Sequence, residues 1–304
     1  MKNDLISVAD LDSEKIWQLI KSAIKMKTGN RRPFLVGKSL ALIFEKPSLR
    51  TRVSFEIAMH ELGGHTIYLS QNEIGLGERE PISDVAQVLS RYIDGIVCRT
   101  FSHNNVATLA QYATVPVING LSDLEHPCQA LSDLLTIYEK KGKLEGLTLA
   151  FIGDANNVAN SLLLASALVG MNFNIASPDG YQVRDNILNQ AQGLSLKSRA
   201  KISLTSDSSE ATEGADVVYT DVWTSMGQEE EREVRRQAFL NYQVDNKLLS
   251  LAKKDAIFMH PLPAHHGEEI AEGLLESPQS VVFDQAENRL HLQKAILIEL
   301  MRGA

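Results

Sequence analysis

Apolar and polar positions along the chain switch repeatedly between two periods. From Ser13 to Lys27, Ile16, Ile20, Ala23 and Ile24 recur at helical spacing and predict an amphipathic helix. Ser39–Phe44 is then a short continuous apolar run, as in a strand buried on both faces. Glu45-Lys46-Pro47 breaks it, and a helix is predicted over 49–62, stopped by Gly63-Gly64. The alternation continues with strands over 66–69, 95–98 and 115–118 and helices over 82–92 and 106–112. A long helix is predicted from His126-Pro127 to Lys140-Lys141-Gly142, a basic and glycine-terminated stop. A second series places strands over 147–152, 173–176, 216–219 and 256–259, and a final helical pattern covers 290–301. Strands alternating with helices predict an α/β fold of two doubly wound domains, each a parallel sheet flanked by helices. The boundary is placed near Lys141, giving domains over 1–141 and 142–287.

Composition narrows the function classes. The 304 residues suit two domains and 44% are hydrophobic, enough for two cores. A net charge of −8 argues against a nucleic-acid partner, and it obliges any anionic ligand to find a local basic site. Two cysteines exclude a disulfide scaffold and point to a reducing compartment. The first residues lack an apolar signal core, and no apolar run approaches the roughly 18 residues of a membrane span. The expectation is a cytoplasmic protein with no membrane partner.

Three segments carry candidate chemistry. Ser48-Leu49-Arg50-Thr51-Arg52 directly follows a predicted strand and opens a predicted helix. A helix start offers unpaired N–H groups and partial positive charge, two hydroxyls add donors, and Arg50 can grip a phosphate bidentately. The plain alternative is a serine cap with two solvated arginines. In His126-Pro127-Cys128-Gln129, Pro127 suits a first helical turn. His126 there can donate to a developing oxyanion, and Gln129 has both the acceptor and the donors to hold an amide. Arg99 ends a predicted strand, where open parallel sheets bind ligands; alternatively it is a surface arginine. Gly153-Asp154-Ala155-Asn156-Asn157 also joins a strand to a helix, but the G-x-G-x-x-G pattern of a nicotinamide dehydrogenase is absent. His265 and His266 are adjacent with no third ligand evident, so no metal is expected.

With Asp221-Val222-Trp223-Thr224-Ser225-Met226-Gly227, these motifs resemble those of the ornithine carbamoyltransferases over nearly the whole chain. The resemblance implies carbamoyl phosphate and L-ornithine as ligands, L-citrulline and phosphate as products, and a homotrimer that can assemble further. It assigns carbamoyl phosphate to Ser48, Leu49, Arg50, Thr51, Arg99, His126, Gln129, Leu262 and Arg289, with Arg50, Arg99, His126 and Gln129 catalytic. It assigns ornithine to Asn157, Asp221, Ser225 and Met226, with Asn156 as the neighbour most easily confused with Asn157. A carboxylate at Asp221 suits an α-ammonium group. Trp223 and Met226, apolar in a turn, suggest a loop that closes over ligand. The resemblance also implies that the last helix, 288–304, packs back on the first domain.

Two departures qualify the resemblance. Pro261 stands where ornithine enzymes usually have cysteine, and His260-Pro261-Leu262-Pro263 is the aspartate-enzyme form. Gly75–Pro81 differs from the usual loop, which in relatives reaches the neighbouring subunit's site; Arg79 would supply a cation there. The expected reaction needs no metal or organic cofactor, because carbamoyl phosphate is already activated. The alternatives are transfer to putrescine, an acylated ornithine or aspartate, or a regulatory relative without catalysis.

Overall fold

The computed structural model of the chain describes residues 4–29, 32–225 and 227–302. In chain order the elements are α1 (Ser13–Lys27), β1 (Ser39–Phe44), α2 (Leu49–Glu61), β2 (His65–Ser70), α3 (Gln71–Ile74), α4 (Ile82–Leu89), β3 (Gly95–Arg99), α5 (His103–Tyr112), β4 (Val117–Leu121) and α6 (Pro127–Lys141). There follow β5 (Thr148–Ile152), α7 (Asn157–Val169), β6 (Asn172–Ala176), α8 (Asp185–Ser198), β7 (Ile202–Thr205), α9 (Ser208–Thr212), β8 (Val217–Thr220), α10 (Arg232–Ala238), α11 (Asn246–Leu249), β9 (Ile257–Met259) and α12 (Val282–Met301).

The chain forms two compact units, one of Met1–Leu135 with Glu287–Ala304 and one of Thr136–Ala286. The change of unit falls inside α6, a few residues before the expected Lys141. The first unit holds a four-stranded sheet in the order β2-β1-β3-β4, and the second a five-stranded sheet in the order β7-β6-β5-β8-β9. Every strand pairing is parallel. Parallel sheets need cover on both faces, which explains why Leu40–Phe44 and Leu149–Ile152 are buried without alternation.

Both sheets reverse their winding at one place. The first is laid down from β1 outward to β2 and then back to β3, so its switch point lies between β1 and β3. The second runs β5, β6, β7 and then returns to β8, placing its switch between β5 and β8. Crevices outside the carboxyl ends of such strand pairs are where doubly wound sheets bind ligands. Ser48–Arg52 follows β1 and Arg99 ends β3; Asn156-Asn157 follows β5 and Asp221 follows β8.

Several predicted elements need correction. The strand expected over 115–118 is β4, shifted to Val117–Leu121, because pairing with β3 continues through the polar Asn119. The β3–β4 register slips beside Arg99, leaving Gly120 without a partner. A Cβ at Gly120 would stand 3.0 Å from Val97 Cγ2's sister methyl Cγ1 and 3.3 Å from the Cys98 carbonyl oxygen, so glycine fits this bulge. The helix expected over 82–92 stops at Leu89, where the Ser90 hydroxyl bonds back to the Ala86 carbonyl at 2.6 Å. The last helix begins at Val282, eight residues before its predicted start. From Glu287 onward it belongs to the first unit, where Lys294 pairs with Glu61 at 2.7 Å and Asn288 accepts from Lys27 at 2.9 Å.

Candidate functional site

The β1–α2 junction is a serine-capped helix start. Ser48 is extended (φ −158°, ψ 119°) and its hydroxyl accepts from the Thr51 N–H at 3.2 Å, so α2 starts at Leu49 with its first amides pointing out of the helix. Leu49, the first helical residue, has a side chain that is 74% exposed, so what it can offer there is its backbone N–H. The motif's two arginines part company. Arg52 pairs with Glu56 at 2.9 Å and lies over the Tyr68 ring at 3.7 Å, whereas the Arg50 charge acts on Arg99. Pairing and stacking on the helix surface thus account for Arg52, and Arg50 is the one whose charge is felt at Arg99.

Arg99 and Arg289 are buried in the same unit. Arg289 Nη2 donates to Thr51 Oγ1 at 2.7 Å. Burial and the charges of Arg289 and Arg50 push the Arg99 guanidinium down to about 9. Three like charges that act on one another in this way are costly unless an anion joins them. Arg99 Nε, buried, has no hydrogen-bond partner among the described residues.

Glu45 fixes the spacing of the two strand ends. Its N–H donates to the Arg99 carbonyl at 2.8 Å. Its carboxylate accepts from the Phe101 N–H at 2.8 Å and from Asn105 Nδ2 at 3.0 Å, and the Thr100 hydroxyl also donates to it. Nothing in the local pattern of Glu45-Lys46-Pro47 signalled this role, because the partners lie 55 to 60 residues away.

After β4, the Ser122 N–H donates to the Glu125 carbonyl at 2.9 Å, and this turn delivers His126 to the start of α6. Burial first, and then the charges of Arg289 and Arg99, hold the His126 imidazole well below its ordinary value. It is therefore neutral at pH 7 and able to donate one hydrogen bond to an oxygen without competing as a cation. Gln129 Nε2 donates to Asp133 Oδ1 at 2.8 Å, which fixes the amide orientation. Gln129 Oε1, buried, has no partner among the described residues and is an acceptor suited to an N–H2 group. Cys128 is buried and its thiol is pushed up to about 12 by that burial, so it is no nucleophile.

The second unit gathers a different set. Gly153, at φ 132°, turns the chain out of β5. Asn156 then caps α7, accepting from the Val158 and Ala159 amides at 2.9 and 3.1 Å, and its Nδ2 donates to Asp221 Oδ2 at 2.8 Å. Asn157 is the first helical residue. The Asp221 Oδ1 accepts from the Val222 N–H at 2.8 Å. Burial raises the Asp221 carboxyl, partly offset by the field of His260 and the Asn156 hydrogen bond. A cation bound at Asp221 would relieve that cost.

The loop after Asp221 corrects one expectation. Trp223 is 3% exposed, stacked near Phe239 with ring centres 6.0 Å apart, so it is core and not a mobile cover. Arg235 holds it there: Nη1 donates to the Trp223 carbonyl at 3.0 Å and to Asp154 Oδ2 at 2.8 Å. Ser225 follows, half-buried, its N–H donating to Gln228 Oε1 at 3.0 Å. Met226 lies outside the described residues. Glu229 accepts from the Gly227 N–H at 2.9 Å, so the acidic run after the loop caps its own turn.

Beyond β9, His260 and Pro261 are buried, and Leu262 takes a left-handed φ of 59°. For a residue with a Cβ that conformation carries strain, and it sits where the carbonyl of Leu262 was expected to act. Its N–H donates to His260 Nδ1 at 2.9 Å. Arg79 is exposed, in a loop whose Glu78 and Arg79 amides both donate to the Gly75 carbonyl at 2.9 Å. The expectation that His265 has no further ligand type beside it is also corrected. A tight turn at Gly267 (φ 82°), not a helix, folds Glu268 and Glu269 back beside it.

Comparison with known proteins also divides the chain in two, with the last helix counted in the second part. The family description "Aspartate/ornithine carbamoyltransferase, carbamoyl-P binding domain" matches residues 3–139, and "Aspartate/ornithine carbamoyltransferase, Asp/Orn binding domain" matches residues 145–300. The chain is 52% identical over 302 residues to an ornithine carbamoyltransferase of Anoxybacillus flavithermus, covering 98% of this chain and 96% of that protein. It resembles the solved ornithine carbamoyltransferase of Pyrococcus furiosus at a TM-score of 0.96 and 49% identity, over 100% of this chain and 98% of that one. It resembles the anabolic ornithine carbamoyltransferase of Campylobacter jejuni at a TM-score of 0.95 and 41% identity, over 100% of both chains.

Proposed function

The chain belongs to the aspartate/ornithine carbamoyltransferase family, and we propose that it transfers the carbamoyl group of carbamoyl phosphate to the δ-amine of L-ornithine, giving L-citrulline and phosphate. The observation that carries this reading is the gathering of the half-buried Arg50 with the buried Arg99 and Arg289, near a neutral His126, in the unit that also holds the buried, unpartnered Gln129 carbonyl. Cations there match a phosphate, and a neutral donor with an amide acceptor matches a carbamoyl group.

In this mechanism Ser48, the amides from Leu49 on, Arg50, Thr51, Arg99 and Arg289 hold the phosphate. The amine lone pair attacks the carbamoyl carbon, and the C=O electrons move onto oxygen. His126 and Arg99 stabilise that oxyanion, while Gln129 Oε1 and the Leu262 carbonyl accept from the carbamoyl nitrogen. The carbonyl re-forms, the C–O bond to phosphate breaks with its electron pair leaving on phosphate, and the amine's proton ends on phosphate. Asn157, Asp221, Ser225 and Met226 hold the amino-acid end of ornithine, and Asn156 keeps the Asp221 carboxylate turned to its task. The carbamoyl-phosphate part is assigned to 1–141 with 288–304 and the ornithine part to 142–287.

Relatives of similar length named anabolic support arginine biosynthesis as the setting. A cytoplasmic location is supported by two buried free cysteines. Among the described residues no helix is long and apolar enough to cross a membrane. Homotrimeric assembly, extendable further, is supported by α2. That helix buries Phe55, Ala58 and Met59 yet leaves Leu49, Val53 and Ile57 exposed at helical spacing, an apolar stripe suited to another copy. Arg79, exposed, remains the residue proposed to reach a neighbouring subunit.

Pro261 favours one second reading, in which another amine is the acceptor. Carbamoyl phosphate labelled at carbon tests the main reading: one labelled citrulline should appear per phosphate released, and phosphate without citrulline would overturn it.

A further inference from the structure

A second cluster of ligating side chains lies in the turn after β9 and consists of residues assigned to neither substrate, although the Glu269 charge is felt at Asp221. His265, Glu268 and Glu269 each offer one ligand atom, and those atoms all lie within 4.8 Å of one another. His265 Nδ1 is 3.7 Å from Glu269 Oε2 and 3.8 Å from Glu268 Oε2. A first-row divalent ion binds imidazole nitrogen and carboxylate oxygen at about 2.0–2.2 Å, which puts neighbouring ligand atoms about 3–4 Å apart. The observed separations are close to that.

The independent observation is Glu269 itself. Its side chain is fully buried, and Oε1 is used: it accepts from the His265 N–H at 2.5 Å and stands 3.3 Å from His260 Nε2. Oε2 faces His265 Nδ1 and has no hydrogen-bond partner among the described residues. A buried carboxylate oxygen without a donor is costly, and an ion at this point would satisfy it. Glu268 divides similarly: Oε1 accepts from Arg232 at 2.7 Å, which leaves Oε2 turned to His265. Arg232 is exposed and pairs with the other oxygen, Oε1, so solvent screens its opposition to an ion.

The turn explains how three near neighbours in sequence converge. The Gly267 N–H donates to the Ile270 carbonyl at 2.8 Å and the Glu268 N–H to the His265 carbonyl at 3.0 Å, folding the chain back on itself. We propose that His265, Glu268 and Glu269 form a binding site for a first-row divalent cation such as Zn2+, through one imidazole nitrogen and two carboxylate oxygens, with water completing the coordination. The donor set of one nitrogen and two oxygens suits Zn2+, Co2+ or Ni2+ better than Ca2+ or Mg2+, which prefer oxygen alone. An ion there would clasp the turn that follows Leu262.

The test uses the full-length protein after chelator treatment, titrated with Zn2+ by calorimetry and with Co2+ by visible absorption. Cys98 and Cys128 are buried, so thiols should not compete. The wild type should take up one equivalent of Zn2+ and give a Co2+ spectrum with imidazole ligation. His265→Ala and Glu268→Gln, both at accessible positions, should each weaken binding on the order of 10-fold or more while the far-UV circular dichroism stays unchanged. His266→Ala should bind like the wild type, since His266 faces Glu272 at 3.7 Å instead. No uptake by the wild type, equal uptake by His265→Ala, or loss of uptake in His266→Ala would each overturn the site.

Discussion

Arg289 Nη2 donates to Thr51 Oγ1 at 2.7 Å, joining two residues 238 positions apart. The bond uses an acceptor lone pair of the threonine hydroxyl and leaves its O–H to donate elsewhere. It also ties the buried Arg289 guanidinium to the first turn of α2. The last helix of the chain is therefore tied to the first turn of the second, where the anion is proposed to bind.

Thr51→Val keeps the volume and removes this acceptor. The expected result is a fall in kcat/KM for carbamoyl phosphate on the order of 100-fold, the usual cost of losing one positioned donor. Steady-state kinetics with each substrate varied in turn would check it. The KM for ornithine should move little, and a defect confined to ornithine would contradict the assignment.

Arg50→Ala removes the one motif arginine whose charge acts on Arg99. Turnover should fall on the order of 100–1000-fold. Arg52→Ala serves as the control, because Arg52 is committed to Glu56 and Tyr68. Its exposed ion pair contributes little, so the variant should keep most of its activity.

Asn156 and Asn157 separate by consequence. Asn156→Ala loses the cap of α7 and the partner of Asp221 together. It should lower stability by about 1 kcal/mol and raise the KM for ornithine. Asn157→Ala should raise that KM with little change in stability. Thermal unfolding beside kinetics distinguishes the two, and the reverse pattern would exchange their roles.

His126 predicts a pH effect on stability. Its folded-state value lies well below its unfolded value of about 6.5, so the unfolded chain binds the proton first as pH falls. Its contribution is fully present above about pH 6.5 and is lost progressively below it. His103 and His291, also lowered by burial, act in the same direction. The raised carboxyls of Asp154 and Asp221 act oppositely, favouring the folded state at lower pH. His126→Asn should therefore show a shallower loss of stability between pH 6.5 and 5 than the wild type in urea unfolding series. Identical slopes would show that burial does not hold His126 neutral.

The elements legible in sequence were those with strong local patterns. Ser13–Lys27 and Ser39–Phe44 match their predicted limits because each has a clear period and a clear stop. Asp185–Ser198 and Ile202–Thr205 were not singled out: the helix is mostly exposed and polar, and the edge strand is only half-buried, so neither shows a sharp apolar pattern. β4 was displaced because Asn119 and Gly120 look like a turn, although the β3 ladder accommodates both. The candidate chemistry was legible where it sat in contiguous motifs, as at Ser48–Arg52 and His126–Gln129. What joins the motifs was not. Glu45 with Asn105, Gln129 with Asp133, Asn156 with Asp221 and Arg235 with Asp154 are side-chain pairs made by the fold, three of them between distant segments. Trp223 was misread for the same reason, since its burial depends on Phe239 and Arg235.

The amine specificity is the central claim, and Pro261 is its sharpest challenge. Citrulline formation from carbamoyl phosphate and ornithine, run beside putrescine, N-acetylornithine and aspartate, tests it most directly. The account predicts strong preference for ornithine, with Asp221 reading the α-ammonium and Pro261 tolerated. Activity only with another amine would contradict the ornithine assignment, and no activity with any of them would contradict catalysis itself.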